Sequence, residues 1–341
     1  MARKKKTLIY SAAGLLIIGC IGLWSAYLVM FAPNVQKDGF LYIPTGSGFQ
    51  NVQDSLKTQD FLKNRTTFNF WQRAKSYQNY VKPGRYELRK GMTNRQLVNI
   101  LRSGRQTPVK LTFNNIRTLN QLASRVSTQI EADSASLMNA FFNPEFLEKH
   151  QLSEREIKAI FIPNTYEIWW TTNALQFVER MQKEHEKFWN DERQTKAKNK
   201  NLTPIEVSIL ASIVEEESRK NDEKPIVASV YLNRLRTGML LQADPTVKYG
   251  LGDFELRRIL NVHLQHDSPY NTYIYKGLPP GPICFPSIVS LDAVLNAANT
   301  EYLFFCARAD FSGYHAFAKT YAEHLRNAKT YHEELNRRQI K

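Results

Sequence analysis

From Leu8 to Phe31 the chain runs for 24 residues without a charged side chain. As a helix this stretch would be about 36 Å long, enough to cross the roughly 30 Å hydrocarbon core of a bilayer. It therefore reads as a single transmembrane anchor, and everything else must fold on one side or the other of that membrane. Arg3, Lys4, Lys5 and Lys6 precede it, and only Lys37 lies close behind. The positive-inside rule then keeps residues 1–7 in the cytoplasm and exports the chain after Pro33. Two other readings of the segment are weaker. A cleaved signal peptide would have a shorter apolar region and a better small-residue site than Ser25-Ala26. Ile17-Ile18-Gly19-Cys20 resembles a lipobox, which would make Cys20 an acylated N-terminus, but eleven uncharged and mostly apolar residues follow where a mature lipoprotein begins polar.

The formal charge of +14 would suit a polyanion such as nucleic acid. Export removes nucleic acid from consideration and leaves the plasma membrane and an anionic extracytoplasmic polymer. Outside the anchor the cysteines are Cys284 and Cys306. Both sit in apolar runs (PICFP and LFFCA), so buried free thiols are expected rather than a disulfide. His263, His266 and Asp267 have no thiolate or third histidine beside them, so no metal is expected there. A Gly-rich phosphate loop and a G-x-S-x-G elbow are both missing from the sequence, and no cofactor is implied.

The best-marked element of the exported part is LTPIEVSILASIVEEES, from Leu202 to Ser218. Thr203 with Glu206 makes a capping box and Pro204 occupies the first helical position, so a helix starts here. At 100° per residue, Ile205, Ile209, Leu210, Ile213 and Val214 share one face with Glu217 near its middle. Ser208, Ala211, Ser212 and Glu215 lie opposite, leaving room for another backbone or a ligand. A carboxyl in such a groove would have its pKa raised and could serve as a general acid, which singles out Glu215. The competing reading pairs Glu215 with Arg219 at i,i+4 on a solvated face. Glu217 is expected to be structural.

After this helix come ASVYLNRL, LQADPTVKYG, YNTY and GLPPGPI. Together with ASIVEEES, in this order and spacing over about 80 residues, they resemble the endolytic murein transglycosylase (YceG-like) family. The resemblance implies that Glu215 is the catalytic acid/base, and that Gln242, Asp244, Asn271 and Tyr273 hold sugar hydroxyls and acetamido groups. FIPNTYEIWW is similar to a cleft segment of the family, with Asn164 where the family usually has Asp, and Asn114-Asn115 stands where a Glu-Gly pair is common. His315 and His324 match the family's C-terminal pattern and are expected to be hydrogen-bonded structural residues.

The expected fold is α+β. The anchor over 8–31 is followed by a small α+β unit over 36–106, similar to the LysM-like subdomain of the same family, in which Thr93 caps a helix that Gly104 ends. A catalytic α+β domain then spans 107–341. Within it a long charged helix is expected from Asn173 to a polar linker at Lys200, and a C-terminal hairpin is expected to close the catalytic sheet. The implied activity is cleavage of the MurNAc-GlcNAc bond of peptidoglycan glycan strands, with penicillin-binding synthases as partners. A non-catalytic peptidoglycan-binding scaffold and a two-carboxylate muramidase, using Glu215 with Glu217 or Asp244, are the alternatives.

Overall fold

The computed structural model describes residues 2–256 and 258–338. The expected bounds at Met1 and Lys341 lie outside the described residues. Helix α1 (Ala2–Phe31) carries the apolar run, and among the described residues it alone is long and apolar enough to cross a membrane. The chain divides into two compact units, one running to Lys110 with Gln129–Glu131 and Glu167–Thr172, the other comprising the remainder.

In the first unit β1 (Gly39–Ile43) pairs antiparallel with β2 (Gly84–Leu88), Gly39 facing Leu88 and Ile43 facing Gly84. Alternate residues point inward, as the two-residue period of a strand requires, so Leu41, Ile43, Tyr86 and Leu88 are buried. Helices α2 (Phe49–Thr58), α3 (Arg65–Ala74) and α4 (Asn94–Ser103) supply Leu56, Phe68, Leu97 and Leu101 to the same core. Thr93 caps α4 and Gly104 ends it in a left-handed conformation, φ 72°. Strands β3 (Val109–Phe113) and β4 (Asn164–Ile168), most of whose residues belong to the second unit, form another two-stranded sheet.

The second unit is mostly helical. Helices α5 (Leu119–Ser127), α6 (Ser134–Phe141) and α7 (Pro144–Lys149) lead to α8 (Ala174–Phe188) and α9 (Asp191–Lys198). The long charged helix expected here is thus two helices. Asn190 accepts from Arg193 N at 3.0 Å and starts α9 afresh, because an Asn side chain competes well for a free backbone donor.

Helix α10 (Pro204–Glu217) begins at the Thr203–Glu206 capping box and Pro204 as expected. Every residue from Val207 to Val214 is buried, so the helix is a central one enclosed on all sides and not an amphipathic surface helix. Its small-residue face accommodates backbone. Ile283 N donates to Ser212 Oγ at 3.0 Å and the Cys284 thiol lies 3.4 Å from Ser212 O. The loop making this contact is itself closely packed, since a Cβ on Gly281 would fall 2.0 Å from Arg155 O. Around α10 pack α11 (Lys224–Thr237), α12 (Asp244–Leu251) and, past the short α13 (Asn261–Leu264), α14 (Ile288–Leu295). Their shared core includes Leu210, Ile213, Val227, Tyr231, Leu291 and Val294.

Strands β5 (Phe304–Ala307) and β6 (His315–Ala318) form a hairpin of their own, followed by α15 (Tyr321–Arg337). Among the described residues the hairpin pairs with no further strand, which corrects the expectation that it would close a larger sheet. Both Cys284 and Cys306 are free thiols.

Candidate active site

The last turn of α10 presents three consecutive carboxylates, and each meets a different environment. Glu216 pairs with Arg117, Nη2 to Oε2 at 2.6 Å, on the surface. Glu215 and Glu217, two residues apart and so about 200° around the helix, point into separate cavities.

Glu215 is held on one oxygen. Its Oε2 accepts from Lys224 Nζ at 3.1 Å, Ser287 Oγ at 2.6 Å and Ser290 Oγ at 2.5 Å. Lys224 is 5% exposed, so this is a largely desolvated ion pair, and Arg219 is not the partner. Burial pushes the Glu215 carboxyl up, but the hydrogen bonds from Ser287 and Ser290 and the Lys224 charge outweigh it and hold the group below the usual range. The expected rise in pKa is therefore not found. The groove is filled by donors rather than by apolar surface. The cavity beside it, about 550 Å³, is lined by Asn114, Asn115, Arg117 and Gln121 among others.

Glu217 is partly buried and its Oε1 accepts from the Tyr231 hydroxyl at 2.7 Å. Burial raises its pKa to about 7 against the lowering effect of that hydrogen bond, and the Asp244 charge raises it further while Arg234 opposes. Tyr231 and Arg234 stand at i,i+3 on α11 and so share a face. Arg234 is anchored by donating through Nε to Leu303 O at 2.7 Å and through Nη1 to Leu241 O. Tyr273 donates to Asp244 Oδ1 at 2.6 Å, and the charges of both Glu217 and Arg234 act on it. Glu217 lines a cavity of about 540 Å³ with Lys220, Arg308, Tyr314 and His315. A carboxyl of pKa near 7, set among fixed polar groups at a cavity wall, is equipped to give up a proton and take one back.

The four expected sugar-holding residues divide. Asp244, at the start of α12, and Tyr273 gather near Glu217. Gln242 is exposed, in a left-handed conformation at φ 50°, with its N–H bonded to Thr272 O at 3.0 Å. Asn271 is 1% exposed and fully engaged. It donates to Leu264 O and His266 O and accepts from Tyr273 N at 3.0 Å, so it braces the loop that carries Tyr273 and has no group to offer a sugar. Asn164 is exposed and accepts from Thr165 N. His263 Nδ1 accepts from Leu260 N, and His266 Nε2 lies 3.2 Å from Gly250 O, so each serves its own loop. His315 is hydrogen-bonded, Nδ1 to Glu223 Oε2 at 2.7 Å. His324 instead stacks on Phe304, 5.5 Å between ring centroids, and its buried Nδ1 has no hydrogen-bond partner among the described residues, a correction to the expectation for that residue.

Sequence reasoning missed Tyr231, Arg234, Lys224, Ser287 and Ser290. The first two carried a signal, the i,i+3 placement of a phenol and a guanidinium on one face of a helix. The serines did not, because the α14 N-terminus meets Glu215 only through the tertiary fold.

The YceG-like family model matches residues 41–330. The endolytic murein transglycosylase of Bacillus subtilis strain 168 is 28% identical over 93% of this chain and 91% of its own length. That of Streptococcus pneumoniae strain D39 is 29% identical over 86% of this chain, which spans 58% of that longer relative. Among solved structures, a YceG-like protein from Listeria monocytogenes superposes with a TM-score of 0.56 at 28% identity, covering 85% of this chain and 98% of that one. With its motifs, its fold and nearly all of its length after α1 in agreement, the chain belongs to the YceG-like family.

Proposed function

We propose that this protein is a membrane-anchored endolytic lytic transglycosylase of peptidoglycan, and that its catalytic carboxyl is Glu217 and not the Glu215 that the sequence resemblance implies. The observation carrying this reading is the contrast between the two carboxyls. Glu217 has a pKa near 7 beside Asp244 and Tyr273, whereas Glu215 is kept ionised by three side-chain donors and the Ser287 N–H. An ionised carboxylate buttressed in this way has no proton to give a leaving group.

Glycosidases that use water need two carboxyls, one acid and one base or nucleophile. Here one suffices. Glu217 protonates the oxygen between MurNAc C1 and GlcNAc as that bond breaks, and the C6 hydroxyl of MurNAc closes on C1 to leave a 1,6-anhydro end. Tyr231 aims the Glu217 carboxyl, and Asp244, Tyr273 and Gln242 hold the sugars. Glu215, through Lys224 and α14, fixes the end of α10 on which Glu217 stands. Internal cuts of this kind end the growth of nascent strands, beside penicillin-binding synthases. The apolar α1 anchors the chain in the plasma membrane with its N-terminus cytoplasmic, and the LysM-like unit supports the catalytic domain.

Mass spectrometry of digested sacculi tests the reaction. Anhydro ends support it, reducing ends indicate a two-carboxylate muramidase, and no products a scaffold. Loss of cleavage in Glu215→Gln but not in Glu217→Gln, both folded, would return the acid to Glu215. For orientation, a reporter fused after Lys341 should be active only outside the cytoplasm.

A further inference from the structure

Across the cavity wall from the end of α10 lies a second proton-handling pair that the one-carboxyl reaction leaves unused. Glu223, at the N-terminal end of α11, is 3% exposed and its carboxylate is saturated with donors. His315 N donates to its Oε1 at 2.7 Å, His315 Nδ1 lies 2.7 Å from its Oε2, and Ser218 Oγ donates to the same oxygen at 3.1 Å. A carboxylate accepts only, so Nδ1 must carry the hydrogen in this pair, and in the neutral ring Nε2 is the nitrogen with the lone pair. Ser218 directly follows Glu217, and His315 lines the same cavity as Glu217. Phe305 and Phe317 also pack against the ring in edge-on geometry, at 5.2 Å and 6.4 Å between centroids.

We propose that His315, oriented by Glu223, is the base that receives the proton of the attacking C6 hydroxyl. This rests on the reading of Glu217 as the acid. Glu217 gives its proton to the departing GlcNAc oxygen, which keeps the electron pair of the broken C1–O bond. The C6 oxygen forms the new bond to C1 and releases its proton to His315 Nε2. The imidazolium is stabilised by Glu223, and its proton returns to the Glu217 carboxylate through the shared cavity, so that both groups end as they began. Such a division gives each step a group already in the protonation state it needs. A single carboxyl would have to collect the second proton from the position where it delivered the first.

The charged and titratable groups around the imidazole come from every neighbouring element. Glu223 belongs to α11 and Glu217 to α10. Arg308, at the end of β5, donates to the His315 carbonyl at 3.1 Å. Lys220 stands 4.9 Å from the Tyr314 ring, and the Tyr314 hydroxyl is bonded to Asp222 at 3.0 Å. Lys220 and Arg308, with Arg219 on the same cavity wall, offset the carboxylates here.

Product composition separates a base from a structural residue. When the C6 hydroxyl is not deprotonated, water competes for C1 and leaves a reducing MurNAc end. Purified full-length wild type, His315→Gln and Glu223→Gln would digest sacculi in ¹⁸O-labelled water, with mass spectrometry of the ends and melting temperatures measured in parallel. The expected result is a fall in total cleavage of about 10²-fold, with ¹⁸O-labelled reducing ends making up a major share of the products in both variants. Should His315→Gln not fold, Glu223→Gln, which leaves the imidazole in place, must shift the ratio by itself. Slower cleavage with every end still anhydro, or no change at all, would overturn the role of His315. A wild type that makes only reducing ends would instead overturn the transglycosylase reading on which it rests.

Discussion

Glu215 and Glu217 leave the same turn of α10 and differ by two positions in sequence, yet their surroundings act on them in opposite directions. Around Glu215 the protein offers one cation and two hydroxyls from α14, and the carboxyl is held ionised. Around Glu217 it offers burial, one phenol and a nearby carboxylate, and the proton is retained to about pH 7. The first environment is that of a structural ion pair and the second that of a general acid. Residue type and helix turn were the same for both, so the chemistry was decided by what α11, α12 and α14 bring to each side.

The sharpest way to break this contrast is Glu217→Gln. Cleavage should fall by at least about 10²- to 10⁴-fold, because the amide cannot donate a proton to the departing oxygen. The fold should gain, and the sign is fixed by the pKa. Folded Glu217 keeps its proton to about pH 7 while the unfolded chain loses it near the ordinary carboxyl value of 4.5. Between those values stability declines as pH rises, and above pH 7 the full penalty is present. Replacing the group should therefore stabilise the protein by up to about 3 kcal/mol at pH 8, at 1.36 kcal/mol per pH unit, and by almost nothing at pH 4. Thermal melts at the two pH values check this. An active variant, or one less stable at pH 8, would remove the distinction between the two carboxyls.

The companion change, Glu215→Gln, should have the opposite thermodynamic sign. It leaves the Lys224 ammonium, 5% exposed, facing a neutral amide. A buried pair broken from one side costs about 3–5 kcal/mol, and because Glu215 is 26% exposed, screening reduces this to about 1–3 kcal/mol. The folded-state pKa of Glu215 is depressed, so its contribution is present above the unfolded pKa and disappears as pH falls through the folded one. The gap between wild type and variant in denaturant midpoint should be wide at pH 7 and close on acidification. Folded variant protein should still make anhydro ends.

How much of this was legible in the sequence follows from where the determinants lie. The start of α10 was readable because a capping box is local, needing only Thr203, Pro204 and Glu206. The strand and helix alternation of the N-terminal unit was readable for the same reason. The break between α8 and α9 turned on a single Asn cap inside a charged run, which periodicity alone does not register. The Ser208, Ala211 and Ser212 face was correctly seen as a site of close approach, but only the fold shows that the Ile283 backbone and the Cys284 thiol meet it at Ser212. Asn271 looked like a sugar ligand because Asn is polar and its loop is distinctive. It is instead consumed by three loop hydrogen bonds, the more common use of that side chain. The choice between Glu215 and Glu217 required partners 9 to 75 residues away and was beyond local reasoning.

The smallest expected effect sharpens the contrast most directly, because it shifts one carboxyl without replacing either. Asp244 contributes to raising the pKa of Glu217 and is not among the influences on Glu215. Cleavage by wild type should decline as pH rises past about 7, where Glu217 loses its proton. In Asp244→Asn the Tyr273 hydroxyl can still donate to the amide oxygen, so the local geometry is kept while one negative charge is removed. Without that charge the ionised form of Glu217 is less disfavoured, its pKa falls, and the alkaline limb of the cleavage profile should move to lower pH by under about one unit. The acid-side loss of stability that depends on Glu215 should stay where it is. A rate profile from pH 5 to 9, recorded beside melting temperatures from pH 3 to 7, reads both quantities. If the cleavage limb did not move in folded Asp244→Asn, the proton that sets it would not be the one on Glu217.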